Sequence, residues 1–366
     1  MQSSSRNIGL DILRAAAILG VFFCHGITIT IKDRDILGPF GSGVELFFVL
    51  SGFLIGRIYF RSSQGESFSF WNFWRSRWWR TLPPYYAAIL VYLIVRLMAP
   101  APGLHWYYAL FLQNYLGVTG FGPSWSLCVE EHFYLLLPVA GVVIDRTLGR
   151  RSWRYLLPAA ILLPLAFRLL TPAFLKPLPA QWFWFTHLHC DGLIVGVYLA
   201  YLFVEQHEVF SALKAPLKFL LPLAPLTMLT GIVWQHRPES INALQNTMYA
   251  LGYGAWLRYS YDLRWIPVQP MGRLFRWAFQ GVALCSYSVY LTHTIFDPAI
   301  RNHVLGEMHR GLAKSAIVLT ATFLGGVIFY FLVERPTIRT RDHYLKRNRR
   351  TLPEGSPMVK LSDEMA

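Results

Sequence analysis

Apolar residues fill the chain in runs of about twenty, broken by short polar or Pro/Gly stretches, and that pattern predicts helices that cross a membrane. Ten runs stand out, at roughly 8–30, 40–60, 82–99, 123–144, 154–171, 182–204, 216–235, 241–259, 277–300 and 312–333. A shorter apolar piece at Trp106–Leu116 is too brief to span and reads as interfacial or re-entrant. The expected fold is all-α, a polytopic transmembrane helical bundle of about ten spans. Residues 1–345 form its membrane domain. The charged stretch 346–366, with Pro353, Gly355 and Pro357, is expected to be a disordered tail. The first run is too long for a cleavable signal peptide, holds an internal Arg14, and has no small-residue cleavage site behind it.

Composition agrees, with 54% hydrophobic and only 15% charged residues in 366, where a soluble domain carries about a quarter charged. The net charge of +14 raises nucleic acid as a partner, but the placement of the charges argues for a lipid bilayer instead. Basic residues gather in alternate loops: Arg57, Arg61, Arg75, Arg77 and Arg80; then Arg146, Arg150, Arg151 and Arg154; then Arg258, Arg264, Arg273 and Arg276; and the tail from Arg335. The positive-inside rule then puts both termini in the cytoplasm. The four cysteines, Cys24, Cys128, Cys190 and Cys285, lie inside apolar runs and read as small core residues rather than a disulfide framework.

Orientation turns sequence positions into depths. Arg14 and His25 are eleven residues apart on the first span, so they share nearly one side, ~16 Å apart along the axis. Counting from Ile8 puts Arg14 ~9 Å in and His25 ~25 Å in, and His293 lies ~25 Å past Arg276 on the ninth span. On the fourth span, descending from outside, Glu130 lies ~10 Å below Pro123. Span six carries His187, His189 and Asp191 through its outer half. A charge inside a span needs a partner or a wet cavity, because burying it in lipid costs about 2.5–3.5 kcal/mol.

Each position also has a plainer explanation. Asp11 can pair with Arg14 at i,i+3, His25 and His293 can be satisfied core histidines, and His187 and His189 can belong to an interfacial belt with Trp182 and Trp184. The spacing of His187, His189 and Asp191 matches no metal-ligand motif, and no metal is expected. The segment RSRWWRTLPPYY offers Arg77 and Arg80 as forks for phosphate, or serves as the end of a membrane-surface segment from Phe68 to Trp79.

These residues resemble acyltransferase family 3, the membrane acyltransferases that decorate carbohydrates. The likeness begins with LDILRAAAILGVFFCH, an Arg-x10-His pattern at Arg14 and His25. It continues through GVELFFVLSGFLI (Gly43–Ile55), RWWRTLP (Arg77–Pro83), PSWSLCVEEHFY (Pro123–Tyr134) and SYSVYLTH (Ser286–His293), and ends with ERP at Glu334–Pro336. Six motifs in order cover the whole membrane region. The resemblance implies an acyl-CoA donor, commonly acetyl-CoA, approached from the cytoplasm. The implied acceptor is a sugar hydroxyl in an envelope glycan, exopolysaccharide or glycolipid, although some relatives modify small molecules. It implies CoA phosphates at Arg14, Arg77 and Arg80, chemistry at His25, and an acidic role for Glu130. Glu45, Ser51, Ser126 and Tyr134 are the implied substrate-binding or supporting positions. Position 45 is glutamate where the family pattern more often has aspartate. No SGNH hydrolase-type domain follows the membrane region in this sequence, so a stand-alone bacterial inner-membrane enzyme is expected.

Both lines of reasoning converge on one scheme. His25 acts as general base on the acceptor hydroxyl, Glu130 orients or charge-balances that imidazole, and His293 places the substrate or stabilises the oxyanion. A covalent acyl-histidine relay is also allowed. The alternative from another class is a secondary transporter in which the same Arg, Glu and His groups bind substrate or relay protons.

Overall fold

The computed structural model describes residues 6–27, 38–64, 68–98, 103–174, 184–233, 239–263, 270–300 and 312–349. All regular structure among them is helical. The main helices are α1 (Ile8–Ile27), α2 (Gly43–Ser62), α3 (Phe70–Met98), α4 (Ser124–Thr147), α5 (Trp153–Phe174), α6 (Asp191–Glu205), α7 (Leu223–Val233), α8 (Glu239–Tyr261), α9 (Pro270–Ala299), α10 (Leu312–Phe329) and α11 (Arg335–Arg349). A helix occupies each of the ten expected intervals. Six stretches are long and apolar enough to cross a membrane: Ile8–His25, Phe40–Ser62, Ser124–Thr147, Arg150–Thr171, His207–Ile232 and Ala313–His343. The helices α3, α6, α8 and α9 fall short of that length or apolarity among the described residues.

Four boundaries differ from the expected ones, each for a local reason. Helix α3 starts at Phe70 rather than 82 and absorbs the segment for which a membrane-surface position was one of two readings. It runs straight through Pro83 and Pro84, each of which removes one helical N–H bond. Burial of Phe73, Ser76, Thr81, Tyr85 and Ala88 along one side holds the helix together across that gap. Helix α6 starts at Asp191, after a 3₁₀ turn at Thr186–Leu188, not at 182. The expected seventh span, 216–235, begins as the end of a short helix at Lys214–Leu217 and a 3₁₀ turn at Lys218–Leu220, and becomes regular only at α7 after Pro222. At the other end, a π-helical turn at Tyr330–Glu334 joins α10 to α11. That last helix runs to Arg349, past the expected boundary at 346, and residues 350–366 lie outside the described residues.

The short piece Trp106–Leu116 folds as a 3₁₀ turn at Trp106–Leu110 and a single helical turn at Gln113–Leu116. It is tied inward by side chains: Gln113 donates to the Ser124 carbonyl at 2.9 Å, and Asn114 to those of Trp125 and Trp184, each at 2.8 Å. The most extensive helix pair is α2 against α6, where backbones touch. A methyl group added at Gly52 would lie 2.1 Å from the Leu193 carbonyl oxygen, and one at Gly196 only 2.2 Å from that of Val49. Small residues at a crossing substitute close packing for the hydrophobic drive that lipid does not supply. Helices α1 and α4 pack on α2, α5 on α6, and α8 on both, while α9 packs on α1 and α10.

Candidate active site

Five helices converge on one cavity of about 730 Å³, its open mouth included. Periodicity explains which side chains reach it, because residues three or four apart share a helix face. Val44, Phe47, Phe48, Ser51 and Leu54 come from α2; Arg77, Arg80 and Thr81 from α3; Ser126, Leu127 and Glu130 from α4. Helix α9 adds Ser286, Tyr287 and Tyr290, and α1 adds Arg14. The cavity thus gathers Arg14, Arg77, Arg80, Glu130, Ser51 and Ser126 from the sequence-derived set. Tyr134 sits one turn from Glu130 and is bonded to it.

Three arginines face one carboxylate in this lining. Arg77 is the neutralised one. Its guanidinium donates to the Tyr134 hydroxyl at 2.7 Å and to Ser51 Oγ at 3.3 Å, and lies over the Tyr134 ring at 4.6 Å. Tyr134 in turn donates to Glu130 Oε2 at 2.5 Å, and its hydroxyl lies 2.5 Å from Ser51 Oγ. Arg14 has only a loose ion pair with Asp11, at 3.6 Å, because Asp11 is already held by Arg6 at 2.7 Å. Arg80 has no ion-pair or hydrogen-bond partner among the described residues. The nearby Glu334 is buried and accepts from Ser288 Oγ at 2.6 Å, beyond ion-pair distance from Arg80. The arrangement leaves two guanidinium forks only loosely compensated beside the cavity, the chemistry that captures anions.

His25 and His293 lie outside this lining but meet each other, with ring centroids 4.9 Å apart and planes tilted by 55°. Each ring has its Nδ1 on a carbonyl of its own helix: His25 on Val21 at 2.9 Å and His293 on Tyr290 at 2.7 Å. A carbonyl only accepts, so both Nδ1 atoms carry the proton and both Nε2 atoms carry a lone pair in the neutral rings. His293 is buried and its Nε2 has no hydrogen-bond partner among the described residues, whereas His25 is exposed. Two earlier role assignments change on this geometry. Glu130 is engaged by Tyr134, four residues on along its own helix, not by His25. A neutral His293 has no N–H left to donate to an oxyanion.

Glu45 points elsewhere. Its carboxylate is buried, with Oε1 3.4 Å from His189 Nδ1 and Oε2 lacking a hydrogen-bond partner among the described residues. His189 also lies 3.2 Å from Asn246 Nδ2 and packs edge-on against Trp125, with centroids 5.1 Å apart. Asp191 belongs to Arg168, and His187 packs among Phe167, Phe185 and Tyr115, so these three positions of span six go to three different surroundings. Trp182, the belt partner considered for His187, lies outside the described residues. Sequence reasoning missed Tyr287 and Tyr290, which line the cavity, and Arg168. The signal for the tyrosines is present in SYSVYLTH, where Ser286, Tyr290 and His293 recur at helical spacing.

Residues 7–333 match the acyltransferase domain of acyltransferase family 3. The chain belongs to that family. This membership displaces the transporter alternative and fits a multi-pass membrane protein whose apolar helices enclose a largely apolar cavity carrying a few charged side chains. A Staphylococcus aureus (strain COL) protein provisionally named an O-acetyltransferase is 29% identical over 162 residues, covering 39% of this chain and 26% of that protein. The O-acetyltransferase OatA of S. aureus (strain NCTC 8325 / PS 47) is 30% identical over 153 residues, covering 36% of this chain and 24% of OatA. The matched stretch spans about a quarter of the length of these curated relatives. No solved structure matches the chain.

Proposed function

We propose that this family member is an integral membrane O-acyltransferase that moves an acetyl group from acetyl-CoA, or the acyl group of a related acyl-CoA, to a hydroxyl of a sugar or cell-envelope glycan. The donor approaches from the cytoplasm, the acceptor from the other side, and the protein sits in a bacterial cytoplasmic membrane with both termini inside. One observation carries this reading: three guanidinium groups face a single carboxylate in a cavity whose lining ends one helical turn from a pair of imidazoles.

Arg14 and Arg80, with Arg77 held in place by Tyr134, Ser51 and Glu130, bind the phosphates of CoA. The apolar lining from Phe47, Phe48 and Leu54 suits the arm that follows, and the ~16 Å from Arg14 to His25 along α1 suits its extended length. His25 Nε2 removes the proton of the acceptor hydroxyl as the new C–O bond forms. The carbonyl electron pair moves to oxygen and returns as the C–S bond breaks, and the CoA thiolate takes the proton. His293 Nε2 accepts a hydrogen bond from the His25 imidazolium, the charge-balancing task first considered for Glu130. Glu45, through His189 and Trp125, supports the cavity wall at Phe48, against which Trp125 packs edge-on at 6.1 Å. An acyl-histidine relay would use the same Nε2. Quenching a reaction with radiolabelled acetyl-CoA and no acceptor separates the two routes, because label retained on the protein marks the relay.

The test is release of free CoA from acetyl-CoA by purified protein in lipid nanodiscs, with an envelope-glycan extract as acceptor. His25→Ala is expected to lower the rate by about 10²–10⁴-fold, the usual contribution of a general base. Full release by a correctly inserted His25→Ala protein overturns the assignment of the reaction to this pair.

A further inference from the structure

Acyl transfer passes through a tetrahedral species whose oxyanion needs a hydrogen-bond donor, commonly the largest single catalytic contribution. The imidazoles do not supply one at the start of the reaction, since both Nδ1–H groups are spent on helix carbonyls and both Nε2 atoms hold lone pairs. The arginine end of the cavity is too deep. Along α4, Glu130 and Tyr134 lie ~6 Å and ~12 Å beyond Ser126, and their polar atoms are committed to Arg77 and Ser51.

Among the cavity-lining donors, Tyr290 stands one helical turn from His293 and shares a hydrogen bond with Ser126. Both side chains are buried, and their oxygens are 2.5 Å apart. Tyr290 precedes His293 by three residues, its carbonyl holds the His293 ring, and the two rings lie 5.7 Å apart. The pair has resting acceptors that it can give up. The two hydroxyls share a hydrogen bond in which either can donate, and the Pro123 carbonyl, 3.2 Å from Ser126 Oγ and 3.4 Å from the Tyr290 phenol oxygen, accepts from the other.

The geometry points to Tyr290 as the oxyanion donor, with Ser126 as a positioning residue that acts through it; this rests on the acyl-transfer reading above. As the acceptor oxygen bonds to the thioester carbon and His25 takes its proton, the carbonyl electron pair moves onto oxygen. When the donor binds, Tyr290 turns its O–H to the thioester carbonyl oxygen and Ser126 gives its O–H to the phenol oxygen, and both bonds tighten as the charge develops. Each hydrogen bond in such a chain strengthens the next. Neither hydroxyl loses its proton, and the pair relaxes when the electrons return and the C–S bond breaks. Neutral donors suit this position, because they stabilise developing charge without placing another charge in a closed cavity at rest.

Infrared spectroscopy of acetyl-CoA labelled with ¹³C at the thioester carbonyl tests the assignment in the His25→Ala background, where donor binds without turnover. Removing the hydroxyl with Tyr290→Phe is expected to move the carbonyl band to higher wavenumber, and Ser126→Ala to move it part of the way. With His25 intact, Tyr290→Phe is expected to lower kcat by about 10²–10³-fold with the KM for acetyl-CoA unchanged. The Tyr290→Phe/Ser126→Ala double variant should fall no further than Tyr290→Phe alone. A band that does not move, or a loss expressed wholly in KM, overturns the role. If Tyr290→Phe does not insert, Ser126→Ala alone decides through the band. Wild-type protein that binds acetyl-CoA but leaves every thioester intact overturns the acyl-transfer reading itself, and the oxyanion role falls with it.

Discussion

Two arginine sites inside this helical bundle use the same ingredients and reach opposite ends. At α5, Arg168 spends all five N–H donors: it meets both oxygens of Asp191 at 2.7 and 2.8 Å, Thr247 Oγ1 at 2.8 Å, the Ala243 carbonyl at 2.8 Å, and the Leu188 carbonyl. Thr247 then donates to Asp191 at 2.6 Å. Arg168 is 1% exposed and Asp191 0%, so nothing in that cluster is available to a ligand. In the cavity, by contrast, Arg80 has no polar partner among the described residues and Arg14 only a shared one at 3.6 Å. A saturated, neutral pair clamps α5, α6 and α8 together. The cavity arginines instead keep N–H donors unspent beside open space.

The sharpest way to break this comparison is to remove one arginine from each site. Arg168→Met leaves the Asp191 carboxylate buried with little more than Thr247, and loss of one partner of a buried pair costs about 3–5 kcal/mol. Thermal unfolding in nanodiscs should register that loss. Replacing both partners, with Arg168→Met and Asp191→Leu together, should recover much of it, because the uncompensated charge is gone. If Arg168→Met unfolds at the wild-type temperature, the clamp is not structural.

Arg80→Met is expected to leave the unfolding temperature unchanged or raised, since it removes a charge the fold does not neutralise. Its cost should appear in the donor: hydrogen bonds to charged groups contribute about 1.5–3 kcal/mol, an increase of roughly 10–100-fold in the KM for acetyl-CoA. The acceptor KM should hardly move. A destabilisation equal to that of Arg168→Met would erase the distinction between the sites, and an equal rise in both KM values would remove the phosphate role.

How far the chain could be read without coordinates follows the same division. The helical intervals were legible because apolar runs of span length are a one-dimensional signal. The meeting of His25 and His293 was foreshadowed by counting, since each lies ~25 Å along its span, and the structure brings their rings to 4.9 Å. Counting supplies height but not azimuth. Glu130 therefore looked close enough to serve His25, when its position on α4 turns it to Tyr134 and Arg77 instead. Arg168 was invisible as a partner of Asp191, because the two come from different helices and only packing brings them together. The irregular start of the seventh interval was written in Pro222, a signal that the apolar pattern outweighed.

Glu45 offers the finest test, because it lies between the two kinds of site. It is buried like the Arg168 cluster, yet only one of its oxygens has a partner among the described residues, His189 at 3.4 Å, a long hydrogen bond. A group so weakly held contributes little by being charged. Glu45→Gln keeps the shape and is expected to change stability by less than about 1 kcal/mol, the scale of a single net hydrogen bond, with the KM for acetyl-CoA unaltered. The readouts are unfolding in nanodiscs and CoA release at saturating donor. A modest fall in rate with unchanged stability would fit a wall support acting through His189, Trp125 and Phe48. Unfolding as severe as that of Arg168→Met would instead make Glu45 a structural clamp, and a fall as deep as that of His25→Ala would move it to the reaction, so either extreme ends its intermediate standing.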